Sequence, residues 1–331
     1  MDYKPKFTTT SSHKIDVHHH FVPDFWLEAV SKLGLSPSEM PPHWSVNTSE
    51  EAMKGLGTTT TIFSLTMPGV SFLEGEAARD MARRVNEYAA NLRDQHPGKF
   101  GFLATLPSLF DSEGCIKAIR YALGELRAEG VLVFSSYGNG NTYLGNNAFR
   151  PVWKELNAWK AVVLLHPAMP RNTAGLPPTL VPNVVEFPHE TTRSAMDLLF
   201  SNTKREHPDC KIILSHAGGT LPYIVGRIEF MEIFSSAEGL RKTKAEIEAE
   251  IKSFYFDLAL SGHDNALNCL LNFIPHDHIL FGSDTPYAPL QGVLRMNDAW
   301  ETYTGATQEV RDMVNFKSAY KILPMFQNKA T

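Results

Sequence analysis

The chain has 331 residues, of which 43% are hydrophobic and 20% charged, and its formal net charge at pH 7 is −5. This composition is typical of a globular protein with a large core, and a slightly negative chain offers no basic surface for nucleic acid. No apolar run approaches the ~20 residues of a membrane-spanning helix, so we expect neither a nucleic-acid nor a membrane partner.

The first residues and the cysteines indicate the compartment. Residues 1–12 are polar and lack the apolar centre of a signal peptide, so we interpret them as a loose arm. Cys115, Cys210 and Cys269 lie far apart and form no CxxC pair, which is typical of reduced thiols inside a cell. We therefore expect a cytoplasmic protein.

The first predicted strand carries a group of histidines. The sequence predicts a short buried strand at 14–18, which ends at His18 and is followed directly by His19 and His20. Alternate side chains of a strand share a face, so His18 and His20 point one way and His19 the other. Two imidazoles on one face suit a divalent metal ion, but a complete site needs further ligands.

The next segment, 34–50, contains three prolines beside His43 and Trp44. It cannot be a regular helix throughout, because proline removes a backbone donor and clashes inside a helix. We interpret this segment as a lid over a site, since it follows the histidines closely. A packed surface loop is the alternative.

Strands and helices alternate along the chain. Apolar and β-branched runs predict strands at 14–18, 58–65, 100–106, 131–135, 161–165, 211–214, 254–258 and 279–281. Predicted helices cover 72–96, 112–129, 147–159, 191–207, 221–234 and 238–251, with an irregular segment at 168–189 and two helices at the end. Eight strands alternating with helices predict an α/β fold, a (β/α)8 TIM barrel with a helical C-terminal extension. No linker interrupts the pattern, so residues 1–331 are expected to form a single domain.

Potential ligands recur at the ends of the predicted strands. His18 and His20 end the first strand, and His166, His216 and Asp284 follow the fifth, sixth and eighth. Each alone could be a loop or packing residue. Active sites of such barrels lie at the C-terminal ends of the strands, so five polar residues on that rim indicate a site. His43 and His189 lie in loops on the same rim and are further candidates for substrate contact.

Several motifs resemble the amidohydrolase superfamily, and within it the decarboxylases related to aminocarboxymuconate semialdehyde decarboxylase. They are Asp16-Val17-His18-His19-His20, Leu165-His166-Pro167, Ser215-His216-Ala217-Gly218-Gly219, Gly226-Arg227 and Phe281-Gly282-Ser283-Asp284. Tyr143-Leu144-Gly145 and Glu186-Phe187-Pro188 resemble a subgroup that includes 6-methylsalicylate and orsellinate decarboxylases. The resemblance extends from about residue 14 to about residue 322 and suggests a role in polyketide secondary metabolism.

This resemblance implies roles for particular residues. The positions that match the family's metal ligands are His18, His20, His166 and Asp284. His216 matches a histidine that contacts metal-bound water or substrate, and Arg227 matches an arginine that binds a substrate carboxylate. Relatives are often dimers, so the resemblance also implies a homodimer.

The implied chemistry is a non-oxidative decarboxylation by a carboxy-lyase. Three imidazoles and one carboxylate suit zinc, and manganese is possible. An ortho-hydroxylated aromatic acid such as 6-methylsalicylate or orsellinate would be protonated on its ring carbon before CO2 leaves, and Asp284 or His216 would deliver the proton. Phe21 and Trp44 lie in segments that could wall a flat ring, although such aromatics are as often packing residues.

Two alternatives remain open from the sequence. A hydrolase of the same fold would use the metal to activate water against a lactone or amide. The fourth strand ends in Phe134-Ser135-Ser136, without the lysine that bridges two metals in many hydrolases of this superfamily, which favours one metal. A barrel kept as a binding scaffold is the other alternative, and the intact set of rim ligands argues against it.

Overall fold

The structure is a computed structural model that describes residues 13–35, 40–169, 177, 180–230 and 242–329. The predicted arm at 1–12 and parts of the predicted lid and of the segment 168–189 lie outside these residues. Within the described ranges, no helix is both long and apolar enough to cross a membrane.

Eight parallel strands form the centre of the molecule, and each pairs with the next in chain order. They are β1 (Ile15–Phe21), β2 (Thr60–Leu65), β3 (Phe100–Ala104), β4 (Gly130–Phe134), β5 (Val162–His166), β6 (Lys211–Leu214), β7 (Tyr255–Asp257) and β8 (Ile279–Leu280). The first and last strands meet, because the Val17 N–H donates to Phe281 O (3.0 Å) and the His20 N–H to Thr285 O (2.7 Å). The predicted (β/α)8 barrel is confirmed.

Helices surround the strands and follow them along the chain. The main helices are Asp24–Ser31, Val46–Leu56, Gly75–Gln95, Ser112–Arg120, Arg150–Ala158, Pro182–Phe200, Thr203–Glu206, Leu221–Glu229, Lys244–Lys252, Asp264–Phe273, Leu290–Thr302, Gln308–Asp312 and Ser318–Ile322. A small antiparallel hairpin, Ser136–Tyr137 with Thr142–Tyr143, follows β4. The last three of these helices follow β8 and form the predicted helical C-terminal region.

Two apolar layers hold this arrangement together. Alternate strand residues fill the barrel interior: Ile15, Val17, Ile62, Leu103, Leu132, Val162, Leu164, Ile213 and Leu280. The opposite face of each strand packs against the helices through a larger cluster that includes Phe63, Phe100 and Trp153. Such two-sided burial of parallel strands is why their sequences are almost continuously apolar.

The C-terminal helices close one end of the barrel. Ala319, Ile322, Leu323 and Phe326 are buried in the same cluster as the interior strand residues. Gly101 on β3 makes room for them, because a Cβ there would meet Phe326 Cζ at 2.8 Å and Ile62 Cδ1 at 2.8 Å. The end of the chain thus completes the core below the candidate site.

Two segments differ from the sequence prediction. The helix Pro182–Phe200 begins within the segment 168–189, which was predicted to be irregular, and contains Pro188. The segment predicted as a lid contains the start of the helix Val46–Leu56, which a capping box at Ser45 and Thr48 begins. Pro188 was taken as a sign of irregular backbone, whereas the helix continues through it. In the segment 34–50 the prolines precede the helix, so this segment is not a regular helix throughout, as predicted.

Candidate functional site

A bulge in β1 directs His18 and His20 into the barrel. The register of β1 on β2 shifts between Asp16 and His19, and the His18 N–H donates to Asp16 Oδ1 (3.1 Å). His18 can therefore face inward although Val17, its neighbour, already packs in the barrel interior. His19 points outward to Phe63, with ring centroids 5.5 Å apart, as the alternation predicted.

Four side chains from three parts of the barrel converge at its C-terminal rim. Nitrogen atoms of His18, His20 and His166 and a carboxylate oxygen of Asp284 all lie within 4.8 Å of one another, and all four residues are buried. His18 Nε2 lies 3.1 Å from His20 Nε2, and His20 Nε2 lies 3.1 Å from Asp284 Oδ1. No other group of this kind occurs in the described ranges.

The spacing of these donor atoms fits one metal ion. Ligands of a tetrahedral ion bonded at about 2.0–2.1 Å lie roughly 3.3 Å apart, close to the separations between His18, His20 and Asp284. His166 Nδ1 is hydrogen-bonded to Pro167 O at 2.8 Å, which leaves Nε2 as its ligand atom. The donor set, three imidazole nitrogens and one carboxylate, matches the ligands that zinc and similar ions prefer.

The electrostatics of the site also favour a cation. Burial opposes ionisation of Asp284, but hydrogen bonds with His18, His20 and His216 outweigh it and hold the pKa of its carboxyl well below the usual range. Burial alone would lower the pKa of His18, yet the Asp257 and Asp284 carboxylates raise it to about 10. Burial lowers the pKa of His20 and holds that of His166 well below its usual value.

His216 lies beside this group on an unusual turn. It follows β6 with φ 56° and ψ 54°, and Ala217 is also left-handed with φ 55°. Its Nε2 is 3.4 Å from Asp284 Oδ2, and its ring centroid is 5.0 Å from that of His18. Its Nδ1 is buried and has no hydrogen-bond partner in the described structure. The predicted juxtaposition of His216 with the ligand cluster is present.

Asp257, at the end of β7, was missed by the sequence analysis. It is fully buried, and its Oδ2 lies 2.9 Å from His18 Nδ1. Its Oδ1 accepts hydrogen bonds from the backbone N–H groups of His216 and Ala259, each at 3.0 Å. The available signal was a lone carboxylate in the apolar run that predicts the seventh strand.

The structure corrects the predicted aromatic wall. The side chains of Phe21 and Trp44 lie on the outer side of the barrel, in the layer between the strands and the helices, with centroids 5.8 and 5.7 Å from that of Phe63. Phe21 also stacks on Tyr88. The reason is the alternation of β1, which places Phe21 on the same face as His19 and opposite to His18 and His20.

Other aromatic rings lie next to the cluster instead. The Tyr287 ring is 5.3 Å from that of His20, and the rings of Phe134 and Phe187 are each 6.2 Å from that of His166. The positions of Phe134 and Tyr287 could have been inferred from the sequence, because residues at the C-terminal ends of the strands face the site. Phe134 ends β4, and Tyr287 lies three residues after Asp284.

The two remaining predicted substrate contacts are exposed. Arg227 lies in the helix Leu221–Glu229, and His189 in the helix Pro182–Phe200. Both side chains face solvent in this single chain. Neither is brought into contact with the four-donor cluster.

Comparison with known proteins identifies relatives over nearly the whole chain. The profile described as "Amidohydrolase" matches residues 15–324. The 6-methylsalicylic acid decarboxylase acuB of Aspergillus aculeatus is 44% identical over 85% of this chain and 87% of its own length. The 6-methylsalicylic acid decarboxylase of Penicillium expansum is 42% identical over 94% of this chain and 96% of its own.

Solved structures share the fold. A protein described as an amidohydrolase II superposes with a TM-score of 0.84 at 26% identity, over 94% of this chain and 99% of its own. A 2,6-dihydroxybenzoate decarboxylase, solved with 2,6-dihydroxybenzoate, gives 0.79 at 24% identity over 94% and 99% of the two chains.

Proposed function

The chain belongs to the amidohydrolase family, and on that premise we propose that it is a metal-dependent, non-oxidative decarboxylase of a small ortho-hydroxylated aromatic acid. The observation that carries this proposal is a single buried three-histidine, one-carboxylate cluster in a chain that is 42–44% identical to 6-methylsalicylic acid decarboxylases. 6-Methylsalicylate is the first substrate to test, and orsellinate is the second. Such a reaction would belong to polyketide secondary metabolism.

We propose that His18, His20, His166 and Asp284 hold one divalent ion. Zinc suits the nitrogen-rich set, and manganese is the alternative. When bound, the ion would supply Lewis-acid chemistry that attracts the anionic oxygens of the substrate and helps to orient its ring. The aromatic rings of Phe134, Phe187 and Tyr287 lie beside His166 and His20 and would help to exclude water from the bound ring.

The chain's own residues must supply the proton. Protonation of the ring carbon that bears the carboxylate breaks aromaticity, and the electrons of the C–C bond restore it as CO2 leaves. His216 can carry that proton on Nε2, and Asp284 Oδ2, 3.4 Å away, is the other candidate. His216 is the first of the two to test, because Asp284 is also a proposed metal ligand.

Arg227 is proposed to bind the carboxylate of the acid. A guanidinium can hold a carboxylate through two parallel hydrogen bonds, which a lysine cannot copy. Arg227 lies on the helix that follows the left-handed turn carrying His216. Arg227→Lys should lower kcat/KM while metal content stays the same, and unchanged kinetics would assign Arg227 to the surface.

A cytoplasmic homodimer completes the proposal. All three thiols are free, as expected in a reducing compartment. Val184 and Tyr223, on the helices Pro182–Phe200 and Leu221–Glu229, are 64% and 80% exposed, and a second copy would cover such apolar surface. Light scattering of the purified protein should give twice the mass of the 37.0 kDa chain.

The decisive experiment is a panel of hydroxybenzoates incubated with the metal-loaded protein. We expect CO2 release from 6-methylsalicylate or orsellinate and, in D2O, one deuterium on the carbon that lost the carboxyl group. Lactones and amides belong in the same panel. Brisk lactone hydrolysis without CO2 release from any hydroxybenzoate would replace this proposal with a single-metal hydrolase.

The ligand set has a separate test. Elemental analysis should find about one zinc or manganese per chain, and His18→Ala or Asp284→Ala should lose it. Unchanged metal content in both variants would rule out this set of ligands.

A further inference from the structure

Asp257 has no role in the reaction as proposed, although it is fully buried beside the cluster. Its two oxygens serve different partners. Oδ2 lies 2.9 Å from His18 Nδ1, whereas Oδ1 accepts the backbone N–H groups of His216 and Ala259. A buried carboxylate is costly unless it is paired or hydrogen-bonded, so this arrangement needs an explanation.

We propose that Asp257 is a positioning residue that orients two histidines of the site at once, through one oxygen each. Oδ2 fixes the ring of His18, and Oδ1 fixes the backbone of His216. This inference rests on the proposed metal site. It goes beyond that site by assigning a role to a residue that touches neither substrate nor metal.

The first oxygen selects the tautomer of His18. A neutral imidazole carries its proton on one nitrogen and a lone pair on the other. Donation of the Nδ1 proton to Asp257 leaves the lone pair on Nε2, the atom that faces His20 Nε2 and Asp284 Oδ1. A carboxylate behind a ligating histidine fixes ring orientation and strengthens the ligand in this way.

The second oxygen holds the backbone of His216. Both His216 and Ala217 have positive φ, a conformation that is unfavourable for residues with a Cβ. Such residues persist only where their surroundings hold them in place. The 3.0 Å hydrogen bond from the His216 N–H to Asp257 Oδ1 fixes the chain at the first residue of this turn.

The placement of Asp257 makes the coupling direct. Its strand, β7, pairs with β6, which leads into His216, and with β8, which leads into Asp284. His18 lies on β1, and its ring centroid is 5.0 Å from that of His216. One carboxylate therefore sets the separation between a proposed metal ligand and the proposed proton donor.

Asp257→Asn separates the two functions. The amide oxygen can still accept the backbone N–H groups of His216 and Ala259. The amide NH2 then faces His18 Nδ1 and requires it to be an acceptor, which puts the His18 proton on Nε2, where a ligand lone pair is needed. We expect metal affinity, measured by competition with a chelator, to fall about 10–100-fold, while kcat at saturating metal stays within about threefold.

Asp16→Asn is the matched control. Asp16 is also a fully buried carboxylate next to the site, and its Oδ2 lies 3.1 Å from His19 Nδ1. In Asp16→Asn the amide oxygen can still accept the backbone N–H groups of His18 and Ser283, as Oδ1 does in the parent. The amide NH2 faces Ser283 Oγ and His19 Nδ1, and His19 Nε2 lies 3.0 Å from Ser49 Oγ and not in the cluster. Metal affinity should therefore change less than about threefold in this variant.

Asp257→Ala removes both hydrogen-bond acceptors. We expect the same loss of metal affinity and, in addition, a kcat at saturating metal lowered at least tenfold, because the backbone of His216 is no longer held.

If Asp257→Asn does not fold, the metal affinity of Asp257→Ala decides the first half of the proposal. An Asp257→Asn protein, or in its place Asp257→Ala, that binds metal as tightly as the parent overturns the role of Asp257 and leaves the proposed function intact. A parent protein that binds no metal overturns the site itself.

Discussion

The position of His216 depends on one side-chain contact and on an unusual backbone conformation. Its ring meets Asp284 through Nε2, while its backbone is left-handed. The sequence predicted its position because a histidine directly after an apolar strand falls on the rim of a barrel. The left-handed turn was not predictable, since the Ala217 that shares it normally avoids positive φ.

His216→Ala should keep its metal and lose most of its turnover. Loss of a positioned acid–base group typically costs about 10²–10⁴-fold in rate. Elemental analysis and kcat with 6-methylsalicylate measure the two effects. His276→Ala, an exposed histidine outside the site, serves as the control. If His216→Ala has the kcat of the parent, the role of proton donor would be assigned to Asp284.

Phe21 is expected to act on stability and not on substrate binding. It is 1% exposed and packs on Phe63 and Tyr88, so Phe21→Ala should cost about 3–5 kcal/mol in the free energy of unfolding. Urea unfolding measures that loss, with Leu33→Ala, 42% exposed, expected within about 0.5 kcal/mol of the parent. The KM of Phe21→Ala, measured at low temperature, should equal that of the parent. A several-fold rise in KM would indicate that Phe21 contacts the substrate.

At the scale of elements, the strands were predictable and several connections were not. A buried parallel strand leaves a run of apolar residues that can be recognised in isolation. The helix Pro182–Phe200 was obscured by Pro188, and the hairpin at 136–143 by its short strands. The role of Asp257 was hidden for a different reason: its partners, His18 and His216, are distant in sequence and meet only through the barrel.

The turn after β6 and the helix Pro182–Phe200 fit closely at one glycine. Gly219 has φ 65° and ψ −122°, which glycine alone adopts readily. A Cβ there would meet Pro188 O at 2.0 Å. Gly219→Ala should therefore lower stability by at least about 1–3 kcal/mol and disturb the adjacent His216.

Gly226 provides the matched control for this substitution. It lies inside the helix Leu221–Glu229, and a Cβ there would meet nothing within 4 Å. Gly226→Ala should be neutral or stabilising by up to about 1 kcal/mol, because alanine favours the helix. Thermal unfolding of both variants tests the comparison, and equal melting temperatures would contradict it.

At the scale of the whole molecule, the proposed metal links distant parts of the chain. Its ligands come from β1, the end of β5 and the segment after β8. An ion that binds only the folded state adds RT ln(1 + [L]/Kd), about 2.7 kcal/mol at a free concentration 100 times Kd.

Removal of the metal by a chelator should therefore lower the melting temperature, and added zinc should restore it. Asp284→Ala should show no metal-dependent shift, since one ligand is missing. A chelator effect of the same size in Asp284→Ala would mean that the stabilising ion binds elsewhere.

The pairing of the first strand with the last also governs how this protein is made. His20 and Asp284 are separated by 264 positions in the chain, yet they lie side by side. Chains emerge from the ribosome N-terminus first, so β1 can pair with β2 early but must wait for almost the entire sequence before β8, its other neighbour, exists. During that interval its edge and its histidines are open to other partners, and pairing across such a separation is slow to form. The proposed metal centre, which needs Asp284, can therefore be completed only near the end of synthesis.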